Sequence, residues 1–270
     1  MVVDHRPSLD PSFDDDVLTG YREAGVAVLL GEHLDDPVHL DRVESASRVV
    51  SSGVVAIATI TGRTSGEARR AEIIDGFVTA GVAAVLCVTG DHPAARFRDT
   101  DSIVFGSEGT VIAHEARRLG AVVAVAESPA APPLRRRAHR LVAKQRAGAD
   151  FAILNHAGSV SDVSEFADRA DRAGSRLPLI AAVPVMTDRR SVDALAQFPG
   201  LHLPPGMVDA IERATDSEGA GVDLAIRMAE ELLERPSVAG VNLSGIATGS
   251  GPAERARIMR RVAAGVSGRE

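Results

Sequence analysis

The chain alternates between short runs of apolar residues and longer stretches in which apolar residues return every three or four positions. Short apolar runs bounded by Gly or turn residues read as buried strands, and the three- and four-residue returns read as amphipathic helices. Eight strands are expected, at Val2–Asp4, Val26–Leu30, Val54–Ile60, Ala83–Thr89, Val122–Ala126, Ala152–Leu154, Leu179–Pro184 and Val238–Leu243. Helices are expected between them, among others at Leu40–Val50, Gly66–Thr79, Val111–Leu119, Leu134–Arg146, Asp162–Ala173 and Val222–Glu234. The join from helix to strand has a signature. A helical stretch closes on Gly25, Gly53, Gly81, Gly120, Gly148 or Gly240, and an apolar strand starts at once; Gly174 is a looser case before LPLIAAVPV. Glycine suits the left-handed residue that ends a helix. Most intervals between these glycines match the roughly 30 residues of one strand-plus-helix unit. The longer interval from Gly174 to Gly240 has room for an extra helix.

Strands that alternate with helices imply a parallel sheet. The count of eight implies closure into a (βα)8 barrel, a TIM barrel, with residues 1–270 as a single domain. An open doubly wound sheet is the alternative. The 270 residues, 45% of them hydrophobic, are enough for such a barrel, which commonly takes about 250. With no Trp, one Tyr and 3% aromatic residues, the core has to be Val, Ala, Ile and Leu, which buried parallel strands favour.

Charge narrows the partners. A net charge of −7 argues against nucleic acid. No apolar run reaches the length of a membrane span, about 18 residues. The N-terminal MVVDHRPSLDPSFDDD is acidic and has no apolar signal region. A single cysteine, Cys87, permits no disulfide within the chain and fits a reducing compartment, so the cytoplasm is expected. The expected partner is a small molecule, with assembly into a homo-oligomer left open.

Polar residues are placed unevenly. Strand starts carry Gly and apolar residues. Strand ends carry Asp4-His5, Glu32-His33, Thr59 and Thr61, Thr89-Gly90-Asp91-His92, Glu127-Ser128, Asn155-His156, Thr187-Asp188 and Asn242. In a parallel barrel these ends meet on one face, where such folds do their chemistry. The plainer explanation is that strands end where polar loops begin.

Three motifs stand out, each with a structural alternative. In VTGDHP, Gly90 permits close backbone approach and Asp91 projects over the barrel mouth; alternatively Asp91 caps the next turn, which Pro93 starts. Lys144 is either a functional amine or an ordinary solvated helix charge. Asn155 offers a donor and an acceptor to a heterocycle edge, and His156 offers an imidazole for acid–base work; turn chemistry explains both equally well. The Gly-rich IATGSGPAE after the last strand suits a phosphate at a helix start and is equally an ordinary loop. No dinucleotide fingerprint, P-loop, HExxH, GxSxG elbow or zinc spacing is present, so no metal is expected.

In order and spacing these motifs resemble the methylenetetrahydrofolate reductase family. KQRAGADFAILNHAGSVSDVSEFADRADRAGSRLPLIAAVPVMTD resembles its Lys-bearing helix end, its "AGA" strand, the "F-x-x-R" helix and the "P-I-I-P-G-I-x-P-V" strand. LHLPPGMVDAIERA resembles the family's "R-I-P-x-x-L/M" helix, GVDLAIRMAEELLERPSVAGVNL its last helix and strand, and VTGDHP its "L-R-G-D-x-P". The resemblance spans roughly residues 25–255. It implies a barrel that reduces the methylene bridge of 5,10-methylenetetrahydrofolate to a methyl group. The hydride comes from NAD(P)H, usually through FAD in the barrel mouth, and a carboxylic acid protonates a ring nitrogen.

By that resemblance Asp4 is the nearest counterpart of the family's acidic Glu, with Glu32 a rival. Asp91 matches the Asp of "RGD", facing flavin and folate. Asn155 falls where the family has a folate-binding Gln, beside His156, and Lys144 matches a flavin-contacting Lys. Thr59, Thr89 and Gly90 line the cofactor side. Several flavin contacts differ. The "RGD" Arg is Thr89, a His at the third strand's end is Thr59, a Thr on the second strand is Leu29, and a Tyr and a His after the fifth strand become Ala126 and about Ala130. Losing an Arg and a His removes cationic donors to a pyrophosphate, although Arg135–Arg137 are nearby, so tight FAD binding is not expected. Nicotinamide would then lie directly against the folate. Three other readings stay open: a related barrel for pterin or folate binding or methyl transfer, a non-catalytic binding barrel, and an aldolase with Lys144 as the Schiff-base amine.

Overall fold

The computed structural model describes residues 1–7, 11–32, 41–64, 66–90, 107–155, 157–198 and 201–268. Eight parallel strands close into a barrel in chain order. They are β1 (Val2–His5), β2 (Ala27–Leu30), β3 (Ala56–Thr61), β4 (Ala84–Val88), β5 (Val123–Glu127), β6 (Phe151–Leu154), β7 (Leu179–Met186) and β8 (Val238–Ala247). The seam is closed by β1 against β8, with Val2 opposite Asn242 and Val3 opposite Leu243. The expected TIM barrel is therefore the fold, and the open sheet is excluded.

The helices around the barrel are α1 (Pro11–Glu23), α2 (Arg42–Ser51), α3 (Glu67–Ala80), α4 (Gly109–Arg118), α5 (Leu134–Arg146), α6 (Val160–Ala173), α7 (Arg189–Ala196), α8 (Pro205–Arg213), α9 (Ser217–Leu233) and α10 (Pro252–Val266). Several starts carry the side chains that satisfy first-turn N–H groups. Asp41 accepts from Val43 and Glu44, Ser159 from Asp162, and Asp216 from Gly219. Gly25, Gly53, Gly81, Gly120, Gly148 and Gly174 all have positive φ, between 65° and 108°, as helix-ending glycines require.

Gly240 departs from that expectation. It lies inside β8, opposite Ile180, and α9 ends earlier, at Leu233. The local string AGVNL looks like the other joins, but the strand runs through the glycine from Val238, where the expected strand also starts, and continues to Ala247. The long interval before it holds two additional helices, α7 and α8, where one was expected. Their apolar faces close over Met186 in a small separate cluster with Val192, Leu195, Leu201 and Ile211. Four strands, β2, β3, β4 and β5, start one or two residues later than expected, and Val55 and Val122, just before β3 and β5, are exposed.

Alternation along each strand divides the core in two. Val2, Leu29, Ile57, Leu86, Ala124 and Ile153 point inward and fill the barrel. Their neighbours Val3, Val28, Ala58, Val85, Val123 and Leu154 point outward and pack against the helices. Every residue of β3 is buried, as expected of a strand covered on both faces. The inward set ends in polar residues at the C-terminal edge, which is where the site lies.

Candidate active site

Continuing the inward alternation from Val2 and Ile57 brings Asp4 and Thr59 to the barrel mouth; Asn155 follows Ile153 by two positions. Val88 and Ala126 pack against the same inward cluster. Asn242, on β8, joins this group by donating from Nδ2 to Asp4 Oδ1 at 2.9 Å. The bond spans the seam and fixes the plane of the half-buried Asp4 carboxyl. Asn242 is 1% exposed and Thr59 7%. Yet Asn242 Oδ1 and Thr59 Oγ1 have no hydrogen-bond partner among the described residues. A buried polar atom without a partner costs about 1–3 kcal/mol, so two of them at one barrel mouth point to a polar ligand there.

Glu32 is held in a different way. Its Oε1 accepts from Thr61 Oγ1 at 2.8 Å, and Oε2 accepts from the Thr61 N–H at 3.1 Å and from Arg42 at 2.5 Å. Arg63 lies 3.5 Å from the carboxylate and donates to the Glu32 carbonyl. The side chain ties the ends of β2 and β3 to the start of α2. That leaves it badly placed to deliver a proton to a bound molecule.

Gly90 has φ 91°, and a Cβ there would sit 3.3 Å from Thr61 Cβ and 3.4 Å from Arg63 Nε. Glycine is needed for the conformation, and the space is tight. Asp91, which follows it, lies outside the described residues, as do His33, His92 and His156. Thr89 Oγ1 accepts the Gly109 N–H at 3.0 Å, so its hydroxyl anchors the start of α4 to the end of β4.

Lys144 reaches from α5 to the end of β5 and is 8% exposed. Its Nζ donates to the Ala126 carbonyl and to Glu127 Oε2, the latter at 2.8 Å. Arg137 donates to the other oxygen, Oε1, at 2.6 Å, and its remaining N–H groups reach the carbonyls of Ala131 and Pro132. Burial pushes the Glu127 carboxyl up, but Lys144 and Arg137 outweigh it and hold the group below the ordinary carboxylate value. Sequence reasoning noted Glu127 at a strand end without giving it a role. Its outward position in β5 was the available signal, since a carboxylate buried behind a barrel strand needs a counter-ion.

This network bears on flavin. A flavin dinucleotide carries a pyrophosphate that needs cationic donors. Lys144 and Arg137 are both occupied by Glu127, and Thr89 by α4. These residues do not fit the grip a flavin pyrophosphate requires.

From Asp4 a cavity of about 710 Å³ opens outward between the end of β1 and the connection from β8 to α10. Among the described residues no cluster of His, Cys, Asp and Glu is arranged to hold a metal, and no helix is long and apolar enough to cross a membrane.

Comparison with known proteins agrees with the fold. A chain of tryptophan synthase from M. tuberculosis, in its aminoacrylate- and BRD0059-bound form, superposes with a TM-score of 0.55 at 12% identity, over 98% of this chain and 91% of that one. The ligand-free TrpA-G66V form gives 0.54 at 13%, over 98% and 92%. At such identities the likeness concerns the barrel alone. No curated protein sequence matches the chain. The methylenetetrahydrofolate reductase family does match, over residues 40–249, a stretch running from the start of α2 through β8. The chain belongs to the methylenetetrahydrofolate reductase family.

Proposed function

We propose that the protein is an oxidoreductase that reduces 5,10-methylenetetrahydrofolate with hydride taken directly from NAD(P)H. The observation that carries this reading is the Asp4 carboxyl, oriented by Asn242 at the mouth of a barrel of this family, with unpartnered buried oxygens on Asn242 and, two strands from Asp4, on Thr59. Asp4 as general acid protonates a nitrogen of the methylene bridge. The five-membered ring opens to an iminium, and hydride from the nicotinamide adds to the bridge carbon. The products are the methyl compound and oxidised nicotinamide, so the proton and the hydride are both accounted for. Asp is one methylene shorter than Glu, so the folate ring has to sit deeper on this side. Asn155 and Thr59 supply polar contacts to the bound rings, and the engagement of Lys144 and Arg137 by Glu127 favours a reaction without resident flavin.

The test is NADH or NADPH oxidation by the purified protein with and without methylenetetrahydrofolate, together with its visible spectrum. Turnover that depends on the folate, with no flavin bands, is expected. Flavin bands would end the flavin-free part. No turnover with either nicotinamide, even after flavin is added, would end the reductase reading.

A further inference from the structure

The cavity beside Asp4 has a chemistry that the reaction at the mouth does not use. Its floor is apolar, formed by Val17, Tyr21, Ile246 and Ala256. Its wall carries Arg190 from α7 and Arg255 from α10, with Arg6 after β1. Arg255 gives one N–H to the Asp4 carbonyl at 3.0 Å, and Arg190 gives one to the Gly249 carbonyl at a long 3.4 Å. Neither has a carboxylate within ion-pair distance among the described residues, whereas Arg70 and Arg137 each have one and Arg257 has two. A guanidinium carries five N–H donors, so both arginines keep most of theirs for something else.

The backbone adds to this. The helix α10 starts at the same cavity behind Gly251, which has φ 117° and supplies no side-chain cap to the first turn. A Cβ on Gly251 would meet nothing within 4 Å. Uncapped N–H groups at a helix start favour an anion. The acids around it are already engaged: Asp188 accepts from the N–H groups of Ser191 and Gly249 and from the Thr248 hydroxyl, Glu254 in the first turn of α10 accepts from Arg257, and Asp4, which lines the cavity, accepts from Asn242. A separate observation concerns His5, which lines the cavity, is 6% exposed and has no hydrogen-bond partner at Nε2. Asp14 Oδ1, at 3.7 Å, is too far to satisfy it.

The cavity thus pairs an apolar, nucleoside-sized floor with a cationic wall, and it meets the active site at Asp4. Lys144 and Arg137 at the edge of β5 are occupied by Glu127, and this cavity offers the phosphates of a dinucleotide other cationic donors. We infer that this pocket binds the phosphate-bearing half of the nicotinamide dinucleotide, with Arg190, Arg255 and the start of α10 as its donors. The inference rests on the reductase reading for the identity of the nucleotide. A carboxylate on the folate tail carries similar charge, and the test separates the two.

The test is calorimetric titration of the full chain with ADP-ribose, which lacks the nicotinamide, and separately with 4-aminobenzoyl-glutamate. ADP-ribose should bind the wild type, and Arg190→Ala and Arg255→Met should each weaken it about 10-fold or more, with partial recovery in Arg→Lys variants. Arg190 is exposed, so its replacement leaves the core intact. Absence of ADP-ribose binding, equal binding by wild type and variants, or an arginine-dependent response to 4-aminobenzoyl-glutamate alone overturns the inference. So does an Arg190→Ala enzyme that turns over with an unchanged KM for NAD(P)H. Arginine-dependent ADP-ribose binding by a protein with no reductase turnover keeps the pocket and removes the reductase reading.

Discussion

Asn242 and Asp4 are 238 positions apart in the chain, and one hydrogen bond of 2.9 Å joins them across the seam of the barrel. The bond makes Asn242 a positioning residue for the carboxyl. Asp4→Asn should lower kcat by about 10²–10³-fold, the usual contribution of a general acid, with little change in melting temperature. Asn242→Ala should lower kcat less, roughly 10-fold, and should also displace the alkaline limb of the pH profile, where a general acid loses its proton and which a purely structural loss would leave in place.

Glu32 separates two readings of the same chemistry. Because its carboxylate is held by Thr61 and Arg42, Glu32→Gln should cost about 1–3 kcal/mol of stability and retain turnover. Urea unfolding and steady-state kinetics on the same preparation check this. If turnover survives Asp4→Asn but is lost in Glu32→Gln, the roles are reversed.

The buried trio of Glu127, Lys144 and Arg137 predicts a stability effect at the end of β5. Lys144→Met removes one close cation from a carboxylate whose side chain is fully buried, and should cost about 3 kcal/mol or more. The double variant Glu127→Gln/Lys144→Met should recover part of that loss. The pH dependence has a definite sign. The folded carboxyl is held below its ordinary value of 4.5, so its contribution is present above that pH and is lost as pH falls through the lower folded value. Denaturation midpoints measured below pH 4.5 should therefore fall less steeply in Glu127→Gln than in wild type.

His5 acts over a different window. Burial is the main cause of its depressed pKa, aided by the charges of Arg255 and Arg48, which together bring it from 6.5 to about 4. Between those values the unfolded chain takes up a proton that the folded protein refuses. Stability should thus decline as pH falls from 6.5 to about 4, by roughly 3 kcal/mol at most, and His5 should contribute no further slope below that. His5→Gln should flatten this part of the stability curve; an unchanged slope would exclude His5 as its source.

Gly221 lies in α9 where the helix crosses the end of β7. A Cβ there would stand 2.2 Å from the Met186 carbonyl oxygen and 2.9 Å from Thr187 Cα. In an exposed helix Gly→Ala gains about 1 kcal/mol, but here the contact is with backbone and has to push the helix outward. Gly221→Ala should therefore destabilise by about 1–3 kcal/mol. A rise in melting temperature would show that the helix yields freely.

Much of the barrel was legible in the sequence because its signals are local. Burial on both faces makes a parallel strand apolar, and a left-handed helix end selects glycine. Both leave their mark within a few residues, so all eight strands and the turns at Gly25, Gly53 and Gly81 were readable. Asp4, Thr59 and Asn155 were readable as mouth residues from their place at strand ends. Gly240 was read both as a helix end and as part of the strand Val238–Leu243, because the same short string suits either, and its pairing with Ile180 places it inside β8.

What the sequence by itself determined is the order of elements, the inward and outward alternation, and the edge on which polar groups collect. The tertiary structure decided which of those groups meet. It paired Asp4 with Asn242, occupied Glu32 and Lys144 with internal partners, and left Arg190 and Arg255 facing one cavity. Strand type follows from residues a few positions apart, whereas contacts between side chains depend on closure of the barrel, which brings the two ends of the chain together.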